Sequence, residues 1–132
     1  MGVKVKAWDA QLRPEVSAIR PTATSFRHWA ATLASDAVAA DCELALVEAC
    51  NNLIQHNRKI PEPIRIHAEA TARELTIILR DSTKGFDWPK RPQLPSPTQE
   101  RGRGIYLMHA LMTEVEYHRN GTHNELRLRR AL

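Results

Sequence analysis

Val3-Lys4-Val5-Lys6-Ala7-Trp8 alternates apolar and polar residues, which predicts a strand over residues 2–8. The period then lengthens. Val16, Ile19, Phe26, Trp29, Ala30 and Leu33 recur at helical spacing behind Pro14, and Pro21 calls for a kink or a later start of that helix. A second helix is expected after Ser35-Asp36 or Asp41, both able to cap it, running to about Asn57 before Pro61 and Pro63. Alternation returns in Ile64, Ile66 and Ala68 and in Leu75–Leu79, two antiparallel strands joined by a turn near Thr71–Glu74. Residues 82–101 break every pattern and hold four of the eight prolines, marking a long loop of the kind that carries function. A helix opens at Gly102-Arg103-Gly104 with Ile105, Leu107, Met108, Leu111 and Met112. Strands around Val115–Arg119 and Glu125–Arg129, joined through Asn120-Gly121, close the chain. The order βααββ–loop–αββ implies a two-layer α/β (α+β) sandwich, with one mixed, mostly antiparallel sheet and the helices on one face.

Bulk properties narrow this picture only a little. The 132 residues make one compact domain, 42% hydrophobic and 26% charged, which excludes a disordered tail or a disulfide scaffold. No apolar run approaches a membrane span or a secretory signal. Cys42 and Cys50 have no metal-binding spacing and read as free buried thiols in a reducing cytoplasm. The net charge of +4 permits an anionic partner, but basic residues are scattered except at Arg101 and Arg103 and at Arg127, Arg129 and Arg130. Direct nucleic-acid binding would rest on that charge alone, and neither nucleic acid nor membrane is an expected partner.

Three short segments carry candidate chemistry. Glu48, Asn52 and His56 follow one another at i, i+4, i+8 on the second helix, on a strip nearly opposite its apolar stripe of Leu46, Val47, Cys50, Leu53 and Ile54. Such a strip is either a solvated outer face or the wall of a cleft. In a cleft, an asparagine carbonyl suits magnesium, which takes few protein ligands, and a glutamate can accept a proton. Asp81 sits where a strand ends and a turn begins, with Gly85 four residues on. Gly102-Arg103-Gly104 opens a helix, where small residues and free N–H groups favour a phosphate.

In this order and at these intervals the segments resemble the GHKL ATPases. Glu43-Leu-Ala-Leu-Val-Glu48-Ala-Cys-Asn-Asn52-Leu-Ile-Gln-His56 is similar to their N box, Asp81 through Gly85 to their first glycine box, and Gly102-Arg-Gly-Ile105 to the second. Gly85-Phe-Asp-Trp-Pro89 and Leu111-Met-Thr-Glu-Val-Glu-Tyr117 extend the likeness to the short, free-standing anti-sigma factor serine/threonine kinases of partner-switching pathways.

The resemblance implies a Bergerat histidine-kinase-like ATPase fold over residues 1–132, with an ATP lid at about 82–104. It implies Mg2+ and ATP as cofactors, with Asn52 as magnesium ligand and Glu48 as the base that activates the acceptor hydroxyl. Asp81 would take the adenine amino group and Gly85 would let the ring lie against the backbone. Gly102, Arg103, Gly104 and Ile105 would form the phosphate-side hinge, with Arg101 and Arg103 beside the γ-phosphate and Thr122 near the adenine. His56 ends the box, where it serves the site or only caps carbonyls. The implied partners are an anti-anti-sigma factor (a STAS-type antagonist) as phosphoryl acceptor, a sigma factor held in sequestration, and a second copy of the chain in a homodimer. One position departs from the family pattern D-x-G-x-G: Thr83 stands where the first glycine belongs, and a β-branched residue resists positive φ. Its hydroxyl can instead reach the base. Two functions therefore stand side by side: a kinase of this kind, and a nucleotide-binding regulatory module that sequesters a sigma factor without phosphoryl transfer.

Overall fold

A computed structural model of the chain describes residues 4–57, 59–85 and 103–132. Its elements are β1 (Lys6–Leu12), a short 3-10 turn (Val16–Ala18), α1 (Ile19–Ala31), α2 (Asp36–Gln55), β2 (Ile64–Ala70), β3 (Glu74–Asp81), α3 (Arg103–Leu111), β4 (Glu114–Asn120) and β5 (His123–Ala131). The five strands form one sheet in the order β1-β2-β3-β5-β4. All four pairings are antiparallel, so the expected antiparallel majority is the whole of the sheet among the described residues.

Local chemistry explains most boundaries. Ser35 caps α2, its hydroxyl accepting the Val38 N–H at 3.2 Å, which decides between the two candidate starts. Pro21 lies in the first turn of α1, where a missing N–H leaves no bond unmade, so no kink is needed. The Thr71 hydroxyl accepts the N–H groups of Arg73 and Glu74 at 3.1 and 3.2 Å and shapes the β2–β3 turn. Gly121 makes the β4–β5 turn at φ 63°, with no atom within 4 Å of the place a Cβ would occupy.

The first strand lies further along than its alternation suggests, at Lys6–Leu12 instead of 2–8. Its register is fixed by the core rather than by the valines. Leu12 pairs with Ile64 and is wholly buried, while Trp8 pairs with Ala68 and meets Phe26 edge-on at 5.5 Å. Val5 stays half exposed.

Strand alternation sorts the sheet into two faces. Ile66, Ala68 and Ala70 on β2, Leu75, Ile77 and Leu79 on β3, and Leu126 and Leu128 on β5 are buried in one layer. The cross-strand pairs Ile66–Leu79, Ala68–Ile77, Leu79–Leu126 and Ile77–Leu128 lock that layer in register. Against it pack Phe26 and Ala30 of α1, Ile105 and Met108 of α3, and Ala39, Cys42, Ala45, Leu46, Ala49, Cys50 and Leu53 of α2. The small residues along α2 let it lie close to the sheet while touching both α1 and α3. Both cysteines are free and buried there, and burial pushes their thiols up to about 11 (Cys42) and about 12 (Cys50). Among the described residues no helix is long and apolar enough to cross a membrane.

Candidate functional site

The place of α2 between its neighbours changes the meaning of its polar strip. A helix in the middle of a layer is covered on three sides, so the strip carrying Glu48 and Asn52 faces α3 instead of bulk water. Both side chains are half-buried. A Cβ added to Gly104, near the start of α3, would lie 2.9 Å from Glu48 Oε2 and 3.4 Å from Asn52 Oδ1. Glycine is therefore what lets the α3 backbone close on this pair. Burial holds the Glu48 carboxyl above its ordinary range, which makes it a better proton acceptor than an exposed glutamate. One end of the Asn52 amide, its N–H2, is buried with no partner. A half-turn of the amide would put the carbonyl oxygen there, at almost no change in shape.

Asp81 closes β3 and is 7% exposed. Its Oδ1 accepts the Thr83 N–H at 2.9 Å, the Thr83 hydroxyl at 2.5 Å and the Asn124 amide at 3.0 Å. The Thr83 hydroxyl also accepts the Gly85 N–H at 3.2 Å. Thr83 thus sits in a side-chain-bonded turn, and no residue other than glycine has positive φ among those described. The strain expected of a threonine here is absent, and its hydroxyl is committed to Asp81 and Gly85. Gly85 itself needs to be glycine: its φ is 74°, and a Cβ would meet Tyr117 Oη at 2.7 Å and Asn124 Oδ1 at 2.8 Å.

The two halves meet. Ala49, Asn52 and Leu53 of α2, Leu79 and Asp81 of β3, Tyr117 of β4 and Leu126 of β5 enclose a mostly apolar cavity of about 20 Å³, room for about one water. Asn52 lies on the helix side and Asp81 at the end of its strand. Larger concavities lie elsewhere: an open trough of about 660 Å³ on the other face of the sheet, and a groove of about 360 Å³ between α1 and α2 beside Arg20 and Glu43. The trough is bigger but carries ion-paired charges, with His67 between Asp9 and Glu69 and Arg80 on Glu125.

The structure therefore brings together Glu48, Asn52, Asp81, Gly85 and Gly104. Ile105 is 9% exposed and belongs to the core beneath them. Arg103 opens α3 and is exposed, and His56 caps α2 outside the group, its backbone N–H bonded to the Asn52 carbonyl at 3.0 Å. Thr122 does not join: it lies exposed in the β4–β5 turn, its hydroxyl 3.0 Å from His123 Nδ1. The residue that does reach Asp81 from that strand is Asn124, its partner in the β3–β5 register. The signal for Asn124 was in the sequence, since it precedes Leu126 and Leu128 in phase with their inward alternation. Arg101, Gly102 and the rest of residues 86–102, the greater part of the lid expected at about 82–104, lie outside the described residues. No group of three His, Cys, Asp or Glu side chains able to hold a metal occurs among the described residues. The Glu48–Asn52 donor set suits a hard cation that takes most of its ligands from phosphate and water.

A helix layer covers one face of an antiparallel sheet, and Asn52 of the central helix lines one cavity with Asp81 at a strand end, an arrangement that agrees with an ATPase domain of the histidine-kinase type. A family model described as the histidine kinase-like ATPase domain matches residues 11–130, and the chain belongs to that family. Among curated proteins it is similar to the serine-protein kinase RsbW of Bacillus velezensis, 32% identical over 91 residues, which is 61% of this chain and 57% of that one. It is likewise similar to RsbW of Bacillus subtilis, 34% identical over 86 residues, 57% of this chain and 54% of that one. The chain thus spans a little over half the length of these relatives. The crystal structure of the RsbU and RsbW domains of a Mycobacterium tuberculosis protein superposes with a TM-score of 0.70 at 17% identity, over 96% of this chain and 32% of that one. That likeness concerns the fold.

Proposed function

We propose that the chain is an ATP-dependent serine/threonine protein kinase and anti-sigma factor. It binds Mg-ATP in the cleft between α2 and the end of β3. It transfers the γ-phosphoryl group to a serine or threonine of a STAS-type anti-anti-sigma protein, and it sequesters a sigma factor while that antagonist is phosphorylated. The observation that carries the reading is the Glu48–Asn52 pair, half-buried against Gly104, with burial raising the Glu48 carboxyl. The likeness to RsbW kinases supports the choice of protein acceptor. The working form is a cytoplasmic homodimer.

The chemistry asked of the chain is modest, because phosphoryl transfer depends on position and charge more than on covalent help. Asp81 and the Gly85 backbone receive the base. Asn52 presents its amide oxygen to magnesium, which when bound neutralises phosphate charge. Glu48 accepts the hydroxyl proton of the acceptor residue as its oxygen bonds to the γ-phosphorus and the bond to the ADP oxygen breaks. Gly104 brings the α3 backbone up to the same space, with Arg101, Gly102 and Arg103 as its phosphate-side neighbours.

Calorimetry with ATP and ADP, with and without magnesium, tests the site. Magnesium-dependent binding that disappears in Asn52→Ala is the expected result. Single-turnover transfer from labelled ATP to a purified STAS-domain antagonist from the same genome tests the activity. Nucleotide binding without transfer to any such antagonist would leave a sequestering module in place of a kinase.

A further inference from the structure

Beside Asp81 lies a buried group that the proposed transfer does not use. Asn124 is 1% exposed. Its Nδ2 donates to Asp81 Oδ1 at 3.0 Å and to the Thr83 carbonyl at 2.8 Å. Because both partners are acceptors, the amide orientation is fixed, and Oδ1 is turned to the other side. There it is buried without a partner. An acceptor in that state costs stability that a donor from outside would restore. Next to it, the place a Gly85 Cβ would occupy lies 2.8 Å from Asn124 Oδ1, 2.7 Å from Tyr117 Oη and 3.1 Å from an Arg119 guanidinium nitrogen, so any side chain there would close what space remains.

Thr83 explains why this second acceptor matters. Asp81 Oδ1 already receives three internal donors, two of them from Thr83. A carboxylate oxygen has about two lone pairs, so Oδ1 has no capacity left for a ligand. Only the other carboxylate oxygen remains to Asp81. The exocyclic amino group of a 6-aminopurine carries two hydrogens and needs two acceptors, whereas a 6-oxopurine presents an acceptor of its own.

We propose that Asn124 is a specificity-determining residue whose Oδ1 accepts the second hydrogen of the purine 6-amino group, beside Asp81, and that Thr83 is a positioning residue for the Asp81 carboxylate. This rests on reading the Asp81 end of the cleft as the base pocket. Asn124 then selects amino over oxo purines.

The test is calorimetric binding of three probes to the full chain with magnesium: ADP, ADP methylated on its exocyclic nitrogen, and inosine diphosphate. ADP should bind about tenfold more tightly than the methylated form, equivalent to about 1.4 kcal/mol, and more tightly still than inosine diphosphate. In Asn124→Leu, shown folded by circular dichroism, the ratio between ADP and its methylated form should shrink to about twofold or less. In Thr83→Ala both should weaken together with their ratio kept. Equal affinity of the parent chain for ADP and methylated ADP would overturn the proposal without any variant. So would inosine diphosphate binding as well as ADP, or an unchanged ratio in Asn124→Leu. If none of the three bound the parent chain, the base-pocket reading itself would fall and this inference with it. ADP binding without discrimination removes only the role of Asn124.

Discussion

The two faces of the sheet handle polar groups in opposite ways. On the outer face His67 lies between Asp9 and Glu69, Arg80 bonds Glu125 at 3.1 Å, and Arg129 spans Glu74 and Glu114. These charges neutralise one another within and across neighbouring strands. On the inner face the polar side chains are fewer and several are incomplete: one end of Asn52 and one end of Asn124 are buried without partners, and burial raises the Glu48 carboxyl. Charges paired in this way cost little to keep and have little left to offer a ligand. Buried donors and acceptors without partners are held at a cost by the packing around them, and that is where binding and chemistry are to be sought.

The most direct way to break the contrast is Glu48→Gln. Transfer should fall by about 10²–10⁴-fold while ADP binding persists, measured by single turnover and calorimetry. The same change should raise Tm slightly. The folded chain holds this carboxyl neutral over a window in which the unfolded chain has already ionised it, so stability falls as pH rises through that window. Glutamine does not ionise, and the Tm gain should therefore widen from acid to neutral pH. A transfer rate equal to that of the parent would sink the assignment of Glu48 as base.

Next in size is a pair of glycine substitutions. Gly85→Ala meets both a φ of 74° and the Tyr117 and Asn124 oxygens, and should cost about 2–4 kcal/mol in urea unfolding, with weakened ADP binding. Gly121→Ala meets a φ of 63° and open space, and should cost about 1–2 kcal/mol with ADP affinity unchanged. Equal costs would mean that Gly85 is present for its dihedral alone.

The outer face should yield only small effects, of opposite pH dependence. Arg80→Ala should cost under about 1 kcal/mol at neutral pH, less in 1 M salt. Arg80 holds the Glu125 carboxyl below its ordinary range, so this contribution is present above the unfolded carboxylate pKa and fades as pH falls through the lower folded value. His67→Gln should cost under about 0.5 kcal/mol. Bonds to Glu69 and Asp9 raise the His67 pKa, so its contribution is complete below the unfolded histidine pKa and is lost as pH rises through the folded one. Thermal melts from about pH 2 to about pH 9 would cover both slopes.

Much of this architecture is legible from periodicity. The four later strands, the three helices and the turns at Thr71 and Gly121 fall where alternation and turn residues put them, because one buried face dictates a period. The first strand lies further along than alternation suggests because this edge strand buries only one residue completely, Leu12, and an exposed residue such as Val5 carries no register. Glu48 and Asn52 stand out in the sequence by their spacing and Asp81 by its place at a strand end. Their burial does not, since a stripe on one helix says nothing about the third helix that covers its far side. The family resemblance points to Thr122, whereas the β3–β5 register sets Asn124 opposite Asp81.

The two cysteines of α2 give this chain a clock. Their thiols, raised to about 11 and about 12, carry almost no thiolate at neutral pH and lie out of reach of solvent. A thiol reagent can therefore react only during moments when the central helix leaves the sheet. Cys42 sits in the first half of that helix and Cys50 in the second, on the Asn52 side. Comparing their labelling rates would time the opening of the two halves separately, and a nucleotide that clamps the cleft should slow Cys50 more than Cys42.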